Sequence, residues 1–223
     1  MKSTLEGILN YLSQLKDNNN REWFAENKLV FDQEQKKIKS FFTSIKQSLE
    51  EIDHIEKMQV FRIYRDVRFS KDKTPYKSHF SAGFVRQKPN LRGGYYLHIE
   101  ENATFVGGGF WEPNKEDLLR IRKELAIDAS ELREIIEQKE FIKNFGSLEG
   151  EELKTAPRDF DKNHPNIDLI RKKQYLVTRK FTNKEVLSPE FEKEVIATFK
   201  AMRPFFNYMS DVLSTDLNGI SLY

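Results

Sequence analysis

Residues 61–80 carry an unusual density of charged side chains between apolar ones. This stretch holds six lysines and arginines against two aspartates, whereas the whole chain of 223 residues balances 37 Lys+Arg against 35 Asp+Glu. A guanidinium group binds a phosphate or a carboxylate through two parallel hydrogen bonds, and lysines add less directional charge. The stretch therefore predicts a binding site for a small phosphorylated or carboxylated ligand. The residues expected to contact this ligand are Arg62, Arg65, Arg68, Lys73, Tyr76, Lys77, Tyr96 and Arg158.

The same charges also have a structural interpretation. The arginines could pair with Asp66 and Asp72 in the same stretch, and carboxylates of the first helices, such as Glu22 and Glu26, could complete a network that ties helices to the sheet. Against this, removing one partner of a buried ion pair costs on the order of 3–5 kcal/mol, so an excess of cations over local acids favours a bound anion as the missing partner. Both interpretations stay open at this point.

Three histidines are candidates for acid–base chemistry on a bound phosphate ester. His79 follows the charged stretch, and His164 lies in a polar, proline-punctuated loop. His98 shares one face of a predicted strand with Glu100, and this pair could hold a metal ion, but no second pair of ligands has a recognisable spacing. We therefore expect no metal and no cofactor. Whether the protein is an enzyme is left open.

A glycine run at residues 107–109 could offer backbone N–H groups to a phosphate. It lacks the Lys-Ser/Thr pair of a P-loop, and a strand that packs against a bulky aromatic such as Trp111 needs glycine too, so a packing role is the expectation. A third class of function is an assembly module, in which the charges are structural and an exposed aromatic patch meets a protein partner. The residues predicted for this patch are Phe205, Phe206 and Tyr208.

Composition bounds the class of protein. The chain has no cysteine, which excludes disulfides, thiolate chemistry and Cys-ligated zinc and suits a reducing compartment. No apolar run approaches the ~20 residues that span a bilayer, and Glu6 and Lys16 follow the N-terminus too closely for a secretory signal. We expect a cytoplasmic protein that does not enter a membrane. A net charge of +2 does not favour general nucleic-acid binding, but it does not exclude it. The oligomeric state is left open.

Hydrophobic spacing predicts the elements that position these residues. Apolar residues at helical spacing, several of them after a capping residue, predict helices that begin near residues 3, 20, 113, 130, 165 and 189. Ser3 and Glu6 have the spacing of a capping box for the first helix. The second helix extends to about residue 52 and is long enough to contain a break.

Alternation of apolar and polar residues predicts the strands. These are residues 61–69, 79–86, 93–100, 104–110 and 174–181. Arg65 interrupts the apolar face of the first strand and predicts a bulge, and the turn after it suits Asp72 as a side-chain acceptor for the backbone. The order of the elements indicates a single α+β domain over residues 1–223, with a mostly antiparallel central sheet packed by long N- and C-terminal helices.

Four separated motifs carry a resemblance to a known family. They are NREWFAENK at residues 20–28, RIYRDVRFSKDKTPYK at 62–77, GGGFWEP at 107–113, and LKTAPR at 153–158 with HP at 164–165. In this order they resemble domain of unknown function 2461, a family of uncharacterised proteins found mainly in bacteria and fungi, over nearly the whole chain. The resemblance implies one soluble α+β domain. It implies no activity, substrate or catalytic residue.

Overall fold

The structure, a computed structural model, describes residues 4–223. Within these residues the chain forms nine helices and five strands. In chain order they are α1 (Thr4–Asp17), α2 (Arg21–Glu26), α3 (Lys28–Glu50), β1 (Ile55–Val60), β2 (Phe80–Arg86), β3 (Gly94–Ile99), β4 (Phe105–Phe110), α4 (Lys115–Ile127), α5 (Ser130–Glu137), α6 (Lys139–Phe145), α7 (Ile167–Ile170), β5 (Tyr175–Lys180), α8 (Asn183–Val186) and α9 (Phe191–Ser214). The predicted capping residue Ser3 lies outside the described residues.

The five strands form one antiparallel sheet in which the strand order follows the chain, β1-β2-β3-β4-β5. Four of the predicted strands are confirmed as β2 to β5, with ends that differ by one residue at most. The predicted α+β class with an antiparallel sheet is also confirmed. Among residues 4–223, no helix combines the length and the apolar character needed to cross a membrane.

The strand predicted at residues 61–69 is wrong. The first strand, β1, lies just before it, and residues 61–79 form an irregular connection to β2 that we call the basic loop. The predicted apolar face does not exist, because the side chain of Phe69 is 97% exposed and no layer covers it. Alternating apolar residues favour a strand only where one face is buried.

The base of the basic loop is nevertheless paired. Tyr64 and Tyr76 form an isolated antiparallel bridge. On one side of it the backbone N–H of Arg65 donates to the carbonyl of Pro75 (2.9 Å), and on the other the N–H of Lys77 donates to the carbonyl of Ile63 (2.8 Å). The loop therefore has a hairpin-like base and an irregular tip.

Asn27 interrupts the long helix predicted after residue 20. The helix starts where Asn20 caps it, since the Asn20 Oδ1 accepts a hydrogen bond from the N–H of Trp23 (2.8 Å). Asn27 then ends α2 and begins α3, and its side-chain amide donates to the Trp23 carbonyl (2.9 Å). Within the short α2, the ring of Phe24 contacts that of Tyr76 at the base of the basic loop.

Contacts between residues group the chain into two compact units. The first comprises residues up to 84 with 96–106 and 180–197, and the second comprises 85–95, 107–179 and 198–223. The single domain expected over the whole chain stays a prediction.

In the first unit, α3 covers one face of the sheet. Its buried apolar residues are Phe31, Ile38, Phe42, Ile45 and Leu49, and the ring of Phe31 stacks on that of Phe80 with centroids 6.2 Å apart. Along β3, Leu97 and Ile99 are fully buried. Since successive side chains of a strand point to opposite faces, His98 lies on the other face of the sheet. That face carries the candidate site.

In the second unit, α9 provides the core. Tyr95 packs against Phe199 and Phe206, with ring centroids 4.9 Å away in both cases. Phe205 and Phe206 are completely buried and Tyr208 is 6% exposed. The exposed aromatic patch predicted for an assembly module is therefore wrong, because these aromatics lie on the buried side of α9 rather than facing a partner.

Two glycines of β4 allow close packing in the second unit. A Cβ at Gly108 would lie 2.6 Å from the Met202 sulfur, and one at Gly109 would overlap the carbonyl oxygen of Tyr175. Gly109 also has φ +133°, which favours glycine. The glycine run thus has a packing role, but its neighbours differ from the expected Trp111, which is 65% exposed.

Candidate functional site

Asn19 anchors the base of the basic loop. Its side chain donates from Nδ2 to the carbonyl of Tyr76 (2.9 Å) and accepts on Oδ1 from the N–H of the same residue (3.1 Å). The Tyr76 ring stacks on Phe24, with centroids 4.0 Å apart and an interplanar angle of 13°. Because Tyr76 is 6% exposed, it belongs to the core and does not line an open pocket as predicted.

Arg65 and Arg68 have acidic partners within the loop itself. Arg65 pairs with Asp72 and also donates to the hydroxyl of Thr74. Arg68 donates to both oxygens of Asp66, from Nε at 3.0 Å and from Nη2 at 2.6 Å. For these two arginines the structural interpretation fits, although their partners come from the loop and not from the first helices.

Lys73 is also committed to the loop, since its Nζ donates to the carbonyl of Val67 (2.9 Å). Together with the two arginine–aspartate pairs, this bond holds the tip of the loop in a compact conformation. Three of the cations predicted to bind a ligand therefore have internal partners.

Asp72 should titrate near pH 2 in the folded protein. The N–H of Thr74 is the largest cause of its lowered pKa, followed by the side chain of Arg65. Because the folded pKa of about 2 lies below the ordinary 3.8, the stabilising contribution of the ionised carboxylate is complete above pH 3.8 and is lost as the pH falls through about 2. In an NMR titration of the carboxyl carbon, Arg65→Gln should raise this pKa and Lys71→Gln should not. Equal shifts in the two variants would contradict the specific contact.

Arg62 and Lys77 remain at the paired base of the loop. Within residues 4–223, the charged group of neither residue forms a hydrogen bond or an ion pair. Arg62 is exposed, and the Lys77 Nζ lies 5.7 Å from the centre of the Phe61 ring. Burial, and then the nearby charge of Arg62, lower the pKa of Lys77. Among residues 4–223 neither cation therefore has an ion-pair partner of its own, although the charge of Arg62 helps to lower the pKa of Asp66, whose carboxylate is bonded to Arg68.

A group of polar side chains follows Lys77 on the face of the sheet opposite α3. We call it the histidine cluster; it comprises Ser78, His79, Tyr96, His98 and Glu100. The rings of His79 and His98 are in contact, with centroids 4.0 Å apart. His98 Nε2 lies 2.9 Å from Glu100 Oε2, and the Ser78 hydroxyl donates to Glu100 Oε1 (2.7 Å). The Tyr96 hydroxyl lies 3.3 Å from His98 Nδ1.

Aromatic rings connect Lys77 to the histidine cluster. Phe61, beneath the Lys77 ammonium, meets Tyr96 edge-on at 6.0 Å. Phe105 stacks on His98 at 4.7 Å and an interplanar angle of 20°. The basic loop and β3 therefore present one continuous surface from Lys77 to the histidines.

Burial sets the charge states of the histidine cluster. It lowers the pKa of His79 to about 4 and also lowers the pKa of His98, so both rings are neutral at pH 7. For Glu100, burial opposes ionisation, but hydrogen bonds from Ser78 and His98 outweigh it and lower the pKa of the carboxyl group. The cluster therefore holds two neutral imidazoles beside one carboxylate.

The second unit contains the two remaining predicted residues, Arg158 and His164. The side chain of Arg158 is 95% exposed and lies 3.9 Å from that of Asp159. His164 Nε2 lies 3.1 Å from the Ala126 carbonyl, and its Nδ1 accepts from the N–H of Asn166 (3.1 Å). Since both nitrogens contact the backbone, His164 holds the loop before α7 in place.

Acid–base roles for His79 and His98 stay predictions.

Comparison with known proteins places this arrangement in a family. The model of the family described as "Conserved hypothetical protein (DUF2461)" matches residues 7–208. The chain belongs to the DUF2461 family. The predicted resemblance is thereby confirmed, and the match includes both the basic loop and the histidine cluster. No curated protein and no solved structure matches the chain.

The DUF2461 chain brings together a third residue that its sequence spacing did not reveal. Ligand atoms of His79, His98 and Glu100 all lie within 4.8 Å of one another, and within the described part of the chain this is the one such group that could hold a metal ion. His79 precedes β2, which pairs with β3. The predicted pairing of β2 with β3 could have revealed this proximity, because it brings His79, at the start of β2, close to the end of β3.

An open pocket of about 340 Å³ lies in the second unit of the DUF2461 chain, and its lining includes Lys88, Arg92, Trp111 and Asp117. Arg92 pairs with Asp117 in its wall. Because this guanidinium is already neutralised, the pocket offers an anion less charge than the pair of free cations in the first unit.

Proposed function

We propose that this protein binds a small phosphorylated or carboxylated ligand through Arg62 and Lys77, beside the histidine cluster. The observation that carries the proposal is the pair of neighbouring cations that form no ion pair among residues 4–223; the acid that senses Arg62, Asp66, is already bonded to Arg68. Like charges held close together repel one another, and an anion that contacts both relieves the repulsion. This repulsion between Arg62 and Lys77 is the reason why the local excess of positive charge in the sequence favours a bound anion.

The position of the two cations favours binding. Both flank the bridge at the base of the loop, where Asn19 holds the backbone of Tyr76 from the opposite side. A backbone fixed before binding loses less conformational entropy when a ligand arrives. Arg62 can supply a two-point contact to an oxyanion, and Lys77 a point charge above the Phe61 ring.

The proposal narrows the predicted set of ligand-binding residues. Arg65, Arg68 and Lys73 act indirectly, by folding the tip of the loop, since their charged groups already bond to the loop. Tyr96 remains, as part of the aromatic surface between Lys77 and the histidines. Arg158, in the second unit, is not part of the proposed binding site.

Charge removal at the two free cations should abolish most of the binding. We expect thermal-shift and calorimetric titrations with inorganic phosphate, citrate, sugar phosphates and nucleoside monophosphates to identify a stabilising anion. A ligand at 100 times its dissociation constant adds about 2.7 kcal/mol of stability. Arg62→Gln and Lys77→Gln should each weaken the affinity at least about tenfold, because a hydrogen bond to a charged group contributes about 1.5–3 kcal/mol.

Lys71→Gln is the matched control, because it removes the same charge from the exposed tip of the same loop. It should change the affinity less than about twofold, as exposed charges are screened by solvent and salt. An equal loss in Lys71→Gln and Lys77→Gln would reduce the effect to general electrostatic attraction. Absence of stabilisation by every anion would refute the proposal.

A further inference from the structure

We propose that His79, His98 and Glu100 form a binding site for a divalent transition-metal ion. The site goes beyond anion binding and does not rest on it, because its ligands are distinct from Arg62 and Lys77. Two imidazole nitrogens and one carboxylate oxygen are a donor set that occurs in zinc enzymes and in non-haem iron sites.

The distances between the three ligand atoms suit one ion. They lie within 4.8 Å of one another, and His98 Nε2 and Glu100 Oε2 are 2.9 Å apart. Zinc binds nitrogen and oxygen ligands at about 2.0–2.2 Å, which places two ligands of a tetrahedral ion roughly 3.4 Å apart. Small rotations of the side chains of His79 and Glu100 therefore suffice to enclose an ion.

Neighbouring groups hold the ligands in the required orientation. The Tyr96 hydroxyl lies 3.3 Å from His98 Nδ1, which leaves Nε2 directed at Glu100. Ser78 donates to Glu100 Oε1 and leaves Oε2 facing the histidines. Phe105 stacks on the His98 ring and fixes its plane. Hydrogen bonds to the outer atoms of metal ligands are a general feature of metal sites, where they fix ring orientation.

The donor set also predicts which ions bind. Imidazole nitrogens suit zinc, copper, iron and nickel, whereas magnesium and calcium prefer oxygen ligands. Three protein ligands leave at least one coordination position open, as in catalytic zinc sites. The open position can take water or an oxygen of an anionic ligand.

Metal titrations of the full-length protein without an affinity tag test this site. We expect one Zn²⁺ per chain in competition with a chromophoric chelator, and visible absorption bands when Co²⁺ is the probe. Mg²⁺ should not compete. His79→Gln, His98→Gln and Glu100→Gln should each weaken Zn²⁺ binding by more than about 10–100-fold, the loss that follows removal of an outer-shell partner alone.

His54→Gln is the control, because His54 is exposed just before β1 and outside the cluster. It should leave affinity and stoichiometry unchanged. Lys77→Gln should retain Zn²⁺ binding even where it abolishes anion binding, which separates this proposal from the proposed function. Unchanged Zn²⁺ affinity in the cluster variants, or loss of it in His54→Gln, would overturn the site. If His98→Gln does not fold, the Co²⁺ spectrum of Glu100→Gln decides, since an unchanged spectrum excludes the carboxylate as a ligand.

Discussion

Replacing Gly109 with alanine should destabilise the protein by about 3 kcal/mol or more, measured by denaturant unfolding. The new Cβ would overlap the carbonyl oxygen of Tyr175, a backbone atom of β5 that cannot move without disturbing the strand. Overpacking of this kind costs about 1–3 kcal/mol. The backbone at φ +133° adds about 1–3 kcal/mol for a residue with a side chain.

Gly146 provides the control, since it separates the conformational cost from the steric one. It also has a positive φ, +71°, but a Cβ there would meet no atom within 4 Å. Gly146→Ala should therefore cost only the conformational penalty of this sparsely populated backbone region, about 1–3 kcal/mol. Similar losses at the two positions would show that β4 and β5 do not approach as closely as described.

Replacing Phe24 with alanine should cost about 3–5 kcal/mol of stability, again measured by denaturant unfolding. Phe24 is 4% exposed and stacks on Tyr76 at 4.0 Å, and its ring also contacts Phe31 at 5.0 Å. The cavity would open beneath the paired base of the basic loop. Under conditions where the variant is folded, we therefore expect weaker binding of the anion that is proposed to contact Arg62 and Lys77.

Phe69→Ala is the matched control for this prediction. It makes the same chemical change at the tip of the basic loop, but Phe69 is 97% exposed. Its effect on stability should stay within about 0.5 kcal/mol. A larger loss in Phe69→Ala than in Phe24→Ala would mean that the tip of the loop, and not its base, is packed against the protein.

Alternation along the chain was sufficient to predict four of the five strands. In β3, the apolar Leu97 and Ile99 lie on one face and the polar His98 on the other, and this alternation of side-chain type is what the period of two reports. The same period at residues 61–69 was misleading, because only Ile63 of its apolar residues is buried. A pattern does not reveal whether another layer covers the predicted face.

The composition of the basic loop predicted a candidate site but did not reveal which of its charged side chains pair with one another. Asp66 lies two residues from its partner Arg68, whereas Asp72 reaches Arg65 only because the loop folds back. Counting charges treats all six cations alike. The pairing of β2 with β3 brings His79 to His98, and this depends on strand register, which the spacing of histidines in one sequence does not encode.

The division of the basic loop into a bridged base and a self-bonded tip has a consequence for its tolerance to change. Arg62 and Lys77 are spaced by the bridge between Tyr64 and Tyr76, whereas the tip is held by bonds among its own residues. Insertions or deletions between Val67 and Lys73 can thus leave the separation of the two cations intact. The tip is the natural place for such length variation, and for grafting a reporter group, while the cationic pair keeps a constant geometry.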